Sequence, residues 1–193
     1  MDDLATRFSD WMHMLLRQWP GGLTAEREAE YARLIRRTAD LLRQGGPFWR
    51  DLPTLIRDVF GGRGWKWNGV YVRRGDELHL ANGAAGQPVC SPLKLEKDGR
   101  AGSSGSCWDA LLMNQTMAVD DVAQWPGYVS CDGASGLNTV SSIVSPIRDS
   151  RGRPIAVWDL DSEQKVAPDD AFFMGSYFDT LSALLKPSEA DFG

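Results

Sequence analysis

The chain has 193 residues, of which 42% are hydrophobic, and its formal net charge is −5 at pH 7. This length and composition are typical of a soluble globular protein with one domain and an extension, or at most two small domains. The acidic balance argues against nucleic acid as a main partner, because binding to phosphates depends on basic patches. Apolar runs are far too short to span a membrane, and Asp2 and Asp3 stand where a signal region would be basic, so we expect a cytoplasmic protein without membrane contact.

Three helices are predicted before the first strand. Residues 4–19 carry apolar side chains three and four positions apart, a spacing typical of an amphipathic helix that packs on its own domain or contacts a partner. A second helix begins after the N-cap Thr24 and ends at Gly45 and Gly46, and a third covers about residues 53–60. We therefore divide the chain into an N-terminal helical extension, one domain and a short tail, at residues 1–22, 23–188 and 189–193.

After residue 64 the pattern changes to the period of two that is typical of strands. The predicted strands cover residues 65–73, 77–81, 116–119, 139–146 and 154–161, with a short helix over 108–114 between them. A last helix begins at Pro168 and ends before Pro187. Short turns at Gly75 and Gly152 join neighbouring strands, so the chain is predicted to have an α+β fold, with an antiparallel-rich central sheet and helices largely on one face.

Three cysteines, Cys90, Cys107 and Cys131, are the only thiols, and each lies next to serine in a loop-like context. Their number and density are unlike those of a secreted disulfide framework, so reduced or redox-active thiols are expected. Taken singly, each cysteine can equally be a small buried filler. The two histidines, His13 and His79, are too scattered to form a metal site with the cysteines, and we expect neither a metal nor another cofactor.

Two carboxylates lie on one face of the last predicted strand. Asp159 and Asp161 are two positions apart, so both project to the same side as Val157, while Trp158 and Leu160 project to the other. Either the strand end emerges into water here, as the polar residues after Asp161 indicate, or the two acids serve a function. Carboxylates that are dry and unpaired are costly, so a buried pair indicates a site for a cation or a proton.

An ordered series of motifs around these residues resembles the GAF-domain free methionine-(R)-sulfoxide reductases over about residues 24–186. The matching segments, in chain order, are Trp67-Asn68-Gly69-Val70-Tyr71, Gly86-Gln87-Pro88-Val89-Cys90, Gly105-Ser106-Cys107, Val119-Asp120-Asp121-Val122, Pro126-Gly127-Tyr128-Val129-Ser130-Cys131-Asp132, Ile143-Val144-Ser145-Pro146 and Val157-Trp158-Asp159-Leu160-Asp161-Ser162. The resemblance implies a GAF-like sheet with a ligand pocket under covering loops. It also implies reduction of free methionine-(R)-S-oxide by thiols that a thioredoxin-like protein recycles.

The resemblance gives the cysteines unequal roles. It makes Cys131 the attacking thiol and Cys90 its resolving partner, while Cys107 matches a third family cysteine that can exchange with either one. A thiolate that attacks the sulfoxide sulfur becomes a sulfenic acid, and a second thiol converts this to a disulfide. Whether Cys90 or Cys107 resolves stays open, and the resemblance together with the N-terminal apolar stripe favours a homodimer.

The resemblance assigns substrate contacts as well. Trp67 and Tyr71 would form an aromatic wall for the methyl-sulfoxide end, although both can also be strand residues that face the core. Asp159 and Asp161 would bind the substrate ammonium group, or one of them would protonate the sulfoxide oxygen.

The chain also departs from the family pattern. Ser142 stands where the family has a glutamate, Trp108 replaces a small glycine, and the loops that follow Cys90 and Cys131 are longer. Two other functions therefore stay open: a non-catalytic GAF module that binds a small molecule, and a redox sensor whose cysteines oxidise without turnover.

Overall fold

A computed structural model describes residues 2–86, 89–96, 99–128 and 136–193. Within these ranges six strands form one antiparallel sheet: β1 (Trp65–Arg74), β2 (Glu77–Leu80), β3 (Leu93–Lys94), β4 (Met117–Val119), β5 (Ser141–Arg148) and β6 (Pro154–Ser162). The helices are α1 (Asp2–Arg17), α2 (Ala25–Gln44), α3 (Phe48–Phe60), α4 (Ser106–Met113) and α5 (Pro168–Leu185), with short 3-10 turns at Gly61–Arg63, Val122–Gln124 and Glu189–Phe192. This arrangement confirms the predicted α+β class and the antiparallel sheet.

The sheet is ordered β3-β2-β1-β6-β5-β4, so β6 lies near its centre. Strand β6 pairs with β1 on one side, where Asp161 opposes Trp67, and with β5 on the other, where Asp161 opposes Ser142. The predicted hairpins β1–β2 and β5–β6 are both present. The prediction missed β3, because a two-residue edge strand carries no measurable alternation.

One face of the sheet packs against α3 and α5, while α1 packs on α5 and α2 on α3, and all four helices contribute to the larger of two apolar clusters. The first helix belongs to this core, since the ring of Phe8 lies 5.5 Å from that of Tyr177 in an edge-to-face contact. Packing of α1 on its own domain is therefore confirmed. Trp11 and Met14 on the same helix remain 59% and 43% exposed, and the homodimer stays a prediction.

Helix ends follow local chemistry at α2, where the Thr24 hydroxyl accepts a hydrogen bond from the Arg27 amide and Gly45 adopts a left-handed conformation with φ of 68°. The predicted start of α3 was wrong, because this helix begins at Phe48 and holds Pro53 in its interior. At the end of the chain the ring of Phe192 packs 5.3 Å from that of Trp49, within the same core.

The opposite face of the sheet carries α4 and the loops, over a smaller apolar cluster. A shift in register between Trp65 and Trp67 turns these two side chains to opposite faces, so that Trp65 joins the helical core and Trp67 the smaller cluster. None of the helices in the described part of the chain is long and apolar enough to cross a membrane.

A buried ion cluster ties the start of α5 to α2. The Asp170 carboxylate accepts hydrogen bonds from the Arg27 guanidinium at 2.9 Å, the Tyr31 hydroxyl at 2.7 Å and the Arg63 guanidinium at 2.5 Å. Its second oxygen accepts the Ala167 amide and so caps α5. The cluster holds two helices and a 3-10 turn together at one end of the helical layer.

We predict that Asp170→Ala lowers the free energy of unfolding by about 3–5 kcal/mol, because two arginines and a buried hydroxyl lose their common partner. Urea unfolding followed by circular dichroism measures this change. The matched control is Asp40→Ala, which breaks an exposed pair with Arg43 and is expected to cost about 0.5 kcal/mol or less. Equal losses in the two variants would contradict a structural role for the buried cluster.

Candidate functional site

A cavity of about 320 Å³ lies between the smaller-cluster face of the sheet and the loops above it. Its floor is formed by Tyr71 of β1, Ser142 of β5, and Asp159 and Asp161 of β6. Its walls come from residues 89–96, from the start of α4 and from Tyr128. This volume is at the small end of the range of about 300–1,000 Å³ that is usual for small-molecule sites.

The two predicted carboxylates both line this cavity. Alternation along β6 places Val157 in the smaller cluster, and Trp158 and Leu160 in the helical core, as the sequence predicts. Asp159 is only 8% exposed, which rules out the interpretation that the strand emerges into water at this residue. Asp161, two residues further on, is partly exposed.

Asp159 is the centre of a short hydrogen-bonded row. The Cys107 thiol donates to one carboxylate oxygen at 3.2 Å, and the Ser142 hydroxyl donates to the other at 3.2 Å. Burial raises the pKa of Asp159 to about 6, although hydrogen bonds from the thiol and the hydroxyl act in the opposite direction. Burial, and then the negative charge of Asp159, raise the pKa of the Cys107 thiol well above its usual value. At neutral pH Cys107 is therefore a neutral thiol beside a carboxylate.

The two predicted aromatic residues occupy different positions. Tyr71 lines the cavity and donates a hydrogen bond from its hydroxyl to the Cys90 carbonyl at 2.8 Å. Burial, and next the charge of Asp159, raise the pKa of this hydroxyl, so it remains a donor at neutral pH. Trp67 is 1% exposed and does not line the cavity; its ring lies 6.0 Å from that of Tyr71. Trp67 thus packs beside the tyrosine in the smaller cluster, and its Nε1 has no hydrogen-bond partner within the described ranges.

The three cysteines differ in state and position. Cys90 and Cys107 both line the cavity, where Cys90 is disulfide-bonded and Cys107 is a buried free thiol. Cys131, predicted to be the attacking thiol, lies outside the described residues. The structure therefore brings two of the three cysteines to the same cavity as the two carboxylates.

Sequence reasoning missed three polar residues that line the cavity, Lys94, Glu96 and Ser104. Lys94 ends the two-residue strand β3, and the other two residues come from the loop between β3 and α4, where no periodic pattern indicates which side chains point inward. Asp121, which lies in one of the matching motifs, caps the turn Val122–Gln124 by accepting a hydrogen bond from the Ala123 amide and does not line the cavity. Within the described ranges no three histidine, cysteine or acidic side chains form a group that could hold a metal ion.

Comparison with known proteins identifies the family, although no protein-family model matches the sequence. The free methionine-R-sulfoxide reductase of Saccharomyces cerevisiae is 31% identical over 115 residues, 58% of this chain and 54% of the yeast protein. Protein YtsP of Bacillus subtilis is 31% identical over 122 residues, 62% of this chain and 68% of that protein. The chain belongs to the GAF-domain free methionine-(R)-sulfoxide reductase family.

Solved structures agree with this family. The free methionine-R-sulfoxide reductase of Neisseria meningitidis, solved with its substrate, has a TM-score of 0.67 at 25% identity, covering 84% of this chain and 92% of that one. A solved GAF domain has a TM-score of 0.66 at 23% identity, covering 82% of this chain and 88% of that one, which shows the GAF fold alone. The chain spans about half the length of the yeast reductase.

The raised pKa of Asp159 predicts how stability depends on pH. The folded protein keeps a proton on this carboxyl up to about pH 6, whereas the unfolded chain releases it near pH 4. This stabilising contribution is therefore present at acidic pH and is lost as the pH rises through 6. Relative to Asp159→Asn, the wild type should lose about 2 kcal/mol of unfolding free energy between pH 4.5 and pH 7.5.

Urea unfolding of both proteins at several pH values measures this difference. The control is Asp120→Asn, because Asp120 is exposed and its replacement should leave the pH profile of the wild type unchanged. Parallel profiles for the wild type and Asp159→Asn would show that Asp159 does not titrate near pH 6.

Proposed function

We propose that this protein reduces free L-methionine-(R)-S-oxide to methionine with its own thiols, and that a thioredoxin-like protein in the cytoplasm restores them. The proposal rests on one observation: one small, partly enclosed cavity is lined by Cys90, Cys107, Asp159 and Asp161. Family membership supports the same reaction, since the yeast and Neisseria relatives are named for it.

The charges around the cavity suit a free amino acid. Asp159 and Asp161 offer carboxylates to an ammonium group from the floor. On the wall, the N-cap residue of α4 is Gly105, which has no side chain to cap the helix, so the first amide groups of α4 are left to bind an anion such as the substrate carboxylate. A peptide-bound residue has neither charged group, so we expect selectivity for the free amino acid.

The chemistry needs two thiols in succession. In the proposed reaction the Cys131 thiolate attacks the sulfoxide sulfur, the oxygen takes up a proton, and methionine leaves as Cys131 becomes a sulfenic acid. The Cys90 thiol then displaces this hydroxyl as water, which leaves a disulfide between the two cysteines. A dithiol of the thioredoxin-like partner reduces that disulfide and is itself oxidised.

Two features of the site support these roles. Cys90 is disulfide-bonded, which is the state that resolution by this thiol would leave. The carboxyl of Asp159, whose pKa is about 6, retains a proton in part of the molecules near neutral pH and can supply it to the departing oxygen. Asp161, more exposed than Asp159, then serves the ammonium group.

Cys107 has a separate role in this scheme. Its raised pKa keeps it protonated at neutral pH, so it is a poor nucleophile but a donor to Asp159. We assign it the part of a third thiol that can exchange with either of the other two cysteines, and of a donor that stabilises the Asp159 carboxylate once its proton has left.

Single-turnover assays on serine variants test the proposal. The reduced protein should form about one equivalent of methionine from the R sulfoxide and none from the S epimer. Cys131→Ser should form none, because no other thiol replaces the attacking sulfur. Cys90→Ser should complete the first turnover but stop at a sulfenic acid, which dimedone labelling and mass spectrometry detect. Cys107→Ser should retain turnover at a reduced rate.

Each alternative has its own result. Full activity in Cys131→Ser, with loss in Cys107→Ser, would move the attack to Cys107 and overturn the assigned roles. Binding of methionine sulfoxide without thiol consumption would identify a non-catalytic GAF module. Disulfide formation by peroxide, with no sulfoxide reduction, would identify a redox sensor.

A further inference from the structure

We infer that Asp109 is a positioning residue, whose carboxylate holds two loops against α4. The first loop contains Gly102 and precedes α4, and the second contains Trp125 and follows β4. The inference rests on the proposed function, because these loops carry cavity-lining residues and one of them leads to Cys131. Asp109 lies in the first turn of α4, two residues after Cys107, and is only 3% exposed.

The Asp109 carboxylate uses one oxygen for each loop. The amide of Gly102 donates to Oδ1 at 2.5 Å, and the indole Nε1 of Trp125 donates to Oδ2 at 2.8 Å. No lysine or arginine in the described part of the chain forms an ion pair with Asp109. A buried carboxylate without a cation depends on its hydrogen-bond donors, so both loops are held where those donors reach it.

The two loops also contact each other directly. Gly127 has φ of 70°, and a Cβ atom at this position would lie 2.5 Å from the carbonyl carbon of Ser103. The backbone of one loop therefore rests on that of the other, next to the point where Asp109 holds both. Ser104 follows this contact in the first loop and Tyr128 follows it in the second, and both line the cavity.

Three consecutive residues of α4 thus hold three parts of the site. Cys107 donates to Asp159 on the floor, and the Nε1 of Trp108 donates to the Leu93 carbonyl at 3.2 Å in the wall that follows Cys90. Asp109 holds the remaining walls. The hydrogen bond from Gly102 fixes the loop that forms a wall of the cavity, and the hydrogen bond from Trp125 fixes the loop that precedes Cys131.

Because each hydrogen bond of Asp109 holds a different loop, two variants should have different kinetic effects. Trp125→Phe frees only the second loop, so the single-turnover rate at saturating sulfoxide should fall about tenfold, with the half-saturating concentration within threefold of the wild type. In Asp109→Asn the side-chain NH2 group faces at least one of the two donors, so a hydrogen bond is lost. This variant should have a lower rate, and its half-saturating concentration should rise about tenfold.

The double variant provides the decisive test. Without the Trp125 donor, an asparagine at 109 can turn its oxygen to the Gly102 amide, so the half-saturating concentration should return to within threefold of the wild type. Effects that simply multiply would overturn the inference, as would an unchanged rate in Trp125→Phe. The matched control is Asp149→Asn, which loosens a turn held by the amides of Arg151 and Arg153 away from the cavity and should change neither constant more than twofold.

Two further measurements decide the inference independently of sulfoxide reduction. Amide hydrogen exchange at Gly102 should accelerate in Asp109→Asn, and alkylation of Cys131 by iodoacetamide in the reduced protein should accelerate severalfold in Trp125→Phe. If the wild type reduces no sulfoxide but both rates, of amide exchange and of alkylation, increase in the variants, the proposed function fails and the loop-holding role of Asp109 stands. If neither rate increases, that role fails whatever the activity.

Discussion

The structure depends on the burial of β6 on both of its faces. Because successive side chains of a strand point to opposite sides, β6 delivers Trp158 and Leu160 to the helical core, and Val157, Asp159 and Asp161 to the other layer. Pairing with β1 and β5 locks this register, since a slip of one residue would place both carboxylates among the aromatic rings of the helical core. The helical core therefore determines where the acids of the site lie.

The burial of the Asp159 carboxylate has an electrostatic cost that its hydrogen bonds do not remove. Its partners are a thiol and a hydroxyl, neither of which carries a positive charge, and so burial leaves its pKa raised. Ser142 is important here because a glutamate in its place would add a further negative charge to the same floor. With serine the carboxylate gains a donor instead, so two acids rather than three face an incoming ammonium group.

The long loop that follows Cys90 is compatible with a defined cavity because α4 holds it. Trp108 and Asp109, which follow the buried thiol, use an indole and a carboxylate to bind backbone and side-chain groups of three surrounding segments. Trp108 replaces the small residue expected from the family pattern, so the departure from that pattern has a structural use. Close contact at Gly127 then joins the two outer loops.

The amino-acid sequence alone determined the elements whose patterns are long and periodic. The N-cap and C-cap of α2, the hairpins at Gly75 and Gly152, and the common face of Asp159 and Asp161 follow from local rules of geometry and hydrogen bonding. Only the tertiary structure decided that Asp159 is buried beside Cys107 and Ser142, that Trp67 is buried outside the cavity, and that Asp109 faces two loops. These contacts join residues that are far apart in the chain, and their distances depend on packing, which no local pattern encodes.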